Sequence, residues 1–141
     1  MVRKLKNTGI KEVTGEVIAD ESFFDSKEVS DGWNIQRYGN ATYSARISAL
    51  SLNRNTVDVW LRGGLKEGDK AIVTLEPEND FFQIDNQTVT RGGYPNVIIS
   101  RTFNAQGKNI IFIKWNIPIT SHSEANKINL DNPGLYTGFV F

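Results

Sequence analysis

A chain of 141 residues is the length of one ordinary domain. Folding at that size buries about two thirds of the surface the unfolded chain exposes, so a core needs no covalent staples. Lys and Arg number 16 and so do Asp and Glu, and a net charge of zero supplies no general attraction to nucleic-acid phosphates. The absence of cysteine excludes disulfides, thiolate catalysis and Cys-based zinc sites. No segment approaches the roughly 18 apolar residues of a membrane span. Met1-Val2-Arg3-Lys4-Leu5-Lys6 is not followed by the apolar run of a signal peptide, so the chain reads as soluble.

In chain order, residues 1–30 read as an N-terminal lead-in or connector, with residues 31–141 as the folded domain. Within the lead-in, Val13, Val17, Ile18, Phe23 and Phe24 fit either an early strand or a short helix. The stretch from Asp31 to Leu50 reads as a hairpin. Trp33 to Arg37 is one strand, Tyr38-Gly39-Asn40 the turn, and Ala41 to Leu50 the other, with Tyr43, Ala45, Ile47 and Ala49 alternating on one face. Further strands are predicted at Val57–Leu61, Ala71–Leu75, Phe81–Ile84 (stopping at Asp85-Asn86), Val97–Phe103, Ile110–Ile117 and Leu135–Phe141. Pro118 ends the longest of these, because it has no amide proton for a ladder. Ser121–Asn129 is too poor in apolar residues for a buried helix and reads as a loop.

Many short strands punctuated by Gly, Asn and Asp predict an all-β, single-domain antiparallel β-sandwich or β-barrel. Its core would take Ala71, Val73 and Leu75 from one strand. Ile111, Ile113, Trp115 and Ile117 would come from another.

The run Gly32-Trp33-Asn34-Ile35-Gln36-Arg37-Tyr38-Gly39-Asn40, followed by an alternating strand, resembles the opening of receptor-binding head domains of bacteriophage tail fibres and baseplates. That resemblance implies a compact β head, a homotrimer, a place at the virion tail tip beside other tail and baseplate proteins, and recognition of a host cell-wall or capsule saccharide.

Val57, Val59 and Leu61 alternate inward, which turns Asp58, Trp60 and Arg62 outward on one face. An indole covers the C–H face of a sugar while a carboxylate accepts from its hydroxyls and a guanidinium donates to them. The same row would also serve as a subunit contact, or as core if the parity is reversed. Arg91-Gly92-Gly93-Tyr94 is a loop that places a cation and an aromatic ring, Arg91 and Tyr94, at the end of the scaffold. His122 is the single histidine and has no triad partners in view. Asp80, Asp85 and Asn86 lack the ordered spacing of a calcium loop, and no phosphate-cradling motif occurs.

The sequence alone therefore predicts a non-enzymatic saccharide-binding head with Asp58, Trp60, Arg62, Arg91 and Tyr94 at its site. It predicts no cofactor or metal, no nucleic-acid partner and no membrane insertion. The alternatives are a structural tail or capsid module and a polysaccharide-degrading enzyme domain.

Overall fold

The computed structural model describes residues 2–34, 39–121 and 124–140. It is mostly sheet, with two three-stranded sheets and no closed barrel among the described residues. In the first sheet, β1 (Thr56–Arg62) lies between β2 (Ile72–Glu76) and β6 (Glu124–Asn129), antiparallel to both. In the second, β5 (Asn109–Ile117) lies between β3 (Gln83–Thr90) and β4 (Asn96–Phe103). Here β5 runs antiparallel to β4 but parallel to β3, so the expected purely antiparallel arrangement is corrected to a mixed one. Two short helices flank the sheets, α1 (Val2–Asn7) and α2 (Pro133–Val140).

Period-two alternation sets the core. Val57 and Val59 of β1, Ile111 and Ile113 of β5 and Tyr136 of α2 are fully buried, and Leu61, Ile117 and Ile128 are nearly so. Residues of both sheets thus share one apolar cluster, with Val73, Leu75 and Ile84 packed against its margin.

The loop between β1 and β2 stitches the two sheets together. Gly64 N–H donates to Thr90 Oγ1 at 2.8 Å, Gly68 N–H to the Thr90 carbonyl at 2.8 Å, and Ala71 N–H to Thr88 Oγ1 at 2.7 Å. Gly64 is required here by proximity. A Cβ would stand 2.7 Å from the Lys70 carbonyl oxygen and 3.0 Å from Thr90 Oγ1, with Asp69 Cβ at 2.5 Å. Gly64→Ala is therefore expected to cost about 1–3 kcal/mol, the range for overpacking a filled site. Urea unfolding measures it, and a loss below about 0.5 kcal/mol would mean the loop gives way freely.

Four expected elements are corrected. Residues 41–50 form no strand: Thr42–Ser44 is a 3-10 turn, and Tyr43 and Ile47 are exposed while Ser44 is buried. Polar groups displace the alternation there. Ser44 Oγ donates to the Ala41 carbonyl at 2.8 Å, and Ile47 N–H donates to the Glu28 carbonyl at 2.8 Å. Ile35 to Tyr38 of the expected hairpin lie outside the described residues.

At the other end, 133–140 is helix rather than strand. Asn132 Oδ1 accepts from Leu135 N–H at 2.9 Å, and Pro133 supplies the fixed φ that suits a first helical position. Glu124–Asn129 is a strand rather than a loop, because β1 offers it a full antiparallel register. The strand expected over Phe81–Ile84 runs on through Asp85-Asn86 to Thr90. The Asn86 amide donates to the Ala71 carbonyl at 2.8 Å and accepts from Thr88 N–H at 3.1 Å, so its polar groups are satisfied without a turn.

The early apolar residues form no regular element. Val13, Val17, Ile18, Phe23 and Phe24 are all exposed. Two glycines one turn apart on α2 admit the chain alongside them: a Cβ at Gly134 would collide with the Glu21 carboxylate, and one at Gly138 would stand 2.9 Å from Ala19 Cβ.

Candidate functional site

Strand order places one groove. β3 and β4 lie on opposite sides of β5, so the five residues between them must cross the C-terminal end of β5. That crossing brings Arg91 and Tyr94 onto Asn116. Arg91 N–H donates to the Ile117 carbonyl at 3.1 Å, Arg91 Nη2 donates to Asn116 Oδ1 at 3.1 Å, and Asn116 Nδ2 donates to the Tyr94 carbonyl at 2.9 Å. Gly93 takes φ +104°, which turns the crossing tightly and leaves Tyr94 92% exposed.

Val89, Arg91, Asn96, Trp115 and Asn116 line the resulting groove of about 390 Å³. Register explains three of them: Asn116 of β5 stands opposite Val89 of β3 and Asn96 of β4 on the outer face of the sheet.

Trp115 is the exception to register. Its neighbours Thr88 and Val97 and its flanks Ile113 and Ile117 belong to the core-facing row, where the indole was expected. Trp115 instead has φ +86° and is 48% exposed. A left-handed backbone at this residue breaks the alternation and delivers the ring to the groove, where Lys114 Nζ stands 5.5 Å from it. For a bulky side chain such a backbone is a genuine outlier.

The outward row on β1 has the expected parity, since Val57, Val59 and Leu61 are buried beneath it. Its polar groups are engaged by neighbouring side chains. Asp58 accepts from Lys127 Nζ at 2.6 Å and from Asn53 Nδ2 at 3.3 Å, and Trp60 Nε1 donates to Glu76 Oε2 at 2.9 Å. Arg62 is exposed at the end of the strand. Arg91 is thus brought together with Trp115 and Asn116, and Tyr94 meets Asn116 through its carbonyl, on the sheet that does not contain β1.

A second polar cluster joins distant parts of the chain. Asp131 Oδ1 accepts from Arg46 Nη2 at 3.1 Å, Asp131 Oδ2 lies 2.8 Å from Arg101 Nη1, and Arg46 Nη1 reaches Glu28 Oε2 at 3.0 Å. Arg101 occupies the core-facing row of β4 and its side chain is 8% exposed. Burial pulls its pKa below the ordinary arginine value, Asp131 opposes that, and Arg46 adds to it. Sequence reasoning missed this cluster, although a charged residue at an inward position of a strand was a legible signal. No group of three or more His, Asp or Glu side chains among the described residues is placed to hold a metal ion. His122 lies outside those residues.

A domain of this architecture occurs in a penicillin-binding protein. Penicillin binding protein 4 of Haemophilus influenzae shares the fold with a TM-score of 0.61 at 13% identity, over 94% of this chain and 29% of that one. Residues 1–141 match the model of the D-Ala-D-Ala carboxypeptidase 3 (S13) family, and the chain belongs to that family. A D-alanyl-D-alanine carboxypeptidase of Actinomadura sp. (strain R39) is 27% identical over 149 residues, which covers 100% of this chain and 27% of that protein. The chain therefore spans less than a third of the length of either relative.

Family membership corrects the phage-head reading and the function, partners and location drawn from it. Recognition of a host receptor saccharide, homotrimeric tail and baseplate partners and a place in the virion are overturned, and so is the non-enzymatic assignment. The nine residues from Gly32 to Asn40 that carried the resemblance are of common types in β-rich proteins, and the alternating strand that followed them is not formed over residues 41–50.

Penicillin-binding serine enzymes draw their nucleophile from Ser-x-x-Lys and carry Ser-Asp-Asn and Lys-Thr-Gly beside it. Neither Ser-x-x-Lys nor Lys-Thr-Gly occurs in the 141 residues. Ser51-Leu52-Asn53 has a related spacing, but Asn53 donates to Asp58 and opens a left-handed turn in which Asn53, Arg54 and Asn55 have φ of 50°, 57° and 58°.

Proposed function

We propose that this chain is one part of a D-Ala-D-Ala carboxypeptidase of the cell envelope, which removes the terminal D-alanine from peptidoglycan stem peptides. The observation that carries this reading is the match of the family over residues 1–141. In this reading residues 31–141 form a sandwich-like accessory domain, residues 1–30 connect it, and the serine nucleophile comes from outside these 141 residues. The absence of Ser-x-x-Lys and the short span relative to the Actinomadura carboxypeptidase both support that division. From the sequence-derived candidates, Arg91 and Tyr94 are carried forward. The Asp58, Trp60 and Arg62 row is not, because Lys127 and Glu76 already engage its acid and its indole N–H.

Fluorescent penicillin tests the reading, since it acylates the active serine of such enzymes. Source-cell extract is labelled and probed with an antibody against this chain. A labelled polypeptide well above 15.8 kDa is expected, with no labelling of the isolated 141-residue chain. Labelling of the isolated chain would overturn the division of labour. An antibody-reactive product that never takes the label would overturn the assignment as a penicillin-binding carboxypeptidase.

A further inference from the structure

We propose that the groove between Trp115 and Arg91 binds the glycan strand of peptidoglycan, an N-acetylated amino-sugar polymer. The inference rests on the reading of the chain as part of a peptidoglycan carboxypeptidase, and adds to it a contact away from the reacting peptide.

Three observations lead there. The first is the backbone of Trp115. Alternation along β5 would bury this indole between Ile113 and Ile117, yet φ +86° turns it out to 48% exposure. Backbone strain of this kind concentrates at binding sites, where the surrounding structure holds it in place. The second is fixation. Asn116 donates to the Tyr94 carbonyl at 2.9 Å and accepts from Arg91 at 3.1 Å, so the guanidinium is held at the groove while only one of its nitrogens is used on Asn116. The third is the lining itself. An indole, a guanidinium, two carboxamides and a valine surround about 390 Å³. That volume lies within the roughly 300–1,000 Å³ range of small-ligand sites.

An aromatic face covers the C–H surface of a pyranose and the methyl of its acetamido group. Arg91 donates to the acetamido carbonyl or to ring hydroxyls, and the Asn96 carboxamide can both donate and accept. A stem peptide would pair its carboxylates with Arg91 but offers no pyranose face to the Trp115 indole. The groove lies on the outer face at the end of an open sheet, where Asn116 is flanked by Val89 and Asn96, so a linear polymer can run across it.

The test uses the 141-residue chain labelled with nitrogen-15 and two probes. One is the N-acetylglucosamine tetramer, and the other a synthetic stem peptide ending in D-Ala-D-Ala that carries no sugar. The tetramer is expected to shift the amide signals of Val89, Arg91, Asn96, Trp115 and Asn116 and the Trp115 indole N–H signal. The Trp115→Gly variant removes the ring and suits the left-handed backbone, so it should keep the circular dichroism spectrum and the melting transition of the parent. Its affinity for the tetramer, and its retention on purified cell-wall sacculi, should fall at least about tenfold, which corresponds to about 1.4 kcal/mol of lost contact with the indole. Arg91→Ala should weaken both by a smaller factor.

Parent-like binding by folded Trp115→Gly, or shifts confined to other surfaces, would overturn the inference. Shifts at the groove from the sugar-free peptide and none from the tetramer would overturn the glycan as occupant. Penicillin labelling reads the carboxypeptidase assignment separately, so a failed titration beside successful labelling removes the groove proposal alone.

Discussion

Replacing Asp131 with Ala is expected to cost about 3–5 kcal/mol of folding free energy, the range for removing one partner of a buried ion pair. The reason lies with Arg101. Its side chain is buried on the core-facing row of β4, and its Nε and Nη1 make no aligned hydrogen bond among the described residues. The Asp131 carboxylate 2.8 Å away is therefore what offsets the burial of the guanidinium. Burial already pulls the Arg101 pKa down, and the nearby Arg46 charge pulls the same way. Without Asp131, two arginines would face each other with, among the described residues, only Glu28, bound to Arg46 at 3.0 Å, in compensation.

Two further variants separate charge from packing. Asp131→Asn keeps the volume and loses the charge, so it should lose most of the same stability. The double variant Arg101→Met with Asp131→Leu exchanges the pair for apolar volume and should recover most of the loss, as replaced buried ion pairs do. Urea unfolding at neutral pH measures all three. A loss below about 1 kcal/mol for Asp131→Ala, the size of an exposed pair's contribution, would show that Arg101 reaches water instead.

Arg101 also marks where reading by alternation stops working. Ile99, two residues earlier in the same inward row, packs against the core as alternation expects, whereas Arg101 is buried beside Asp131, which reaches it from 30 residues further along the chain. Where burial alone decides, the pattern was enough: Val57, Val59 and Leu61 are buried, as are Ile111, Ile113 and Ile117, and the outward parity of Asp58, Trp60 and Arg62 followed from theirs. The misses have local physical causes. Asn132-Pro133 is a cap and first-turn signal that outweighs the β-compatible residues after it. Tyr43 to Ala49 alternate in a segment held by side-chain and loop hydrogen bonds rather than by a ladder. Trp115 was out of reach of composition and periodicity, because a single left-handed residue redirects its side chain while leaving the register of its neighbours intact. Of the candidate site, the Arg91 to Tyr94 loop was visible as a loop. Its meeting with Asn116 required the parallel pairing of β3 with β5.

Tyr136→Ala is expected to destabilise the fold by about 3–5 kcal/mol, the cost of truncating a large aromatic side chain in a core. Tyr136 is fully buried, and its ring packs edge-on against Phe81 at 5.3 Å and tilted against Phe82 at 5.9 Å. Together with Phe139, whose ring lies 5.6 Å from that of Phe81, it fastens α2 to the segment entering β3, so the loss should be accompanied by early proteolysis near residues 133–140. Tyr136→Phe should cost about 1 kcal/mol or less at neutral pH, because a long contact contributes little. The hydroxyl's contact from Asn79 Nδ2 is 3.4 Å. The hydroxyl reveals itself at alkaline pH. Burial, helped by the Asp58 carboxylate, pushes its pKa up from 10.0 to about 12. A raised pKa means that the folded state keeps a proton the unfolded chain has already released. Stability is therefore unaffected by this group below about pH 10, the ordinary phenol value, and falls as pH rises from there toward the folded-state value. The fall amounts to about 1–2 kcal/mol once solvent screening of the charged phenolate is allowed for. Urea unfolding of the parent and of Tyr136→Phe across this alkaline range isolates the effect, since every other titrating group is common to both proteins. The parent should lose stability faster than the variant, and parallel curves would show that the phenol is reached by water in the folded state.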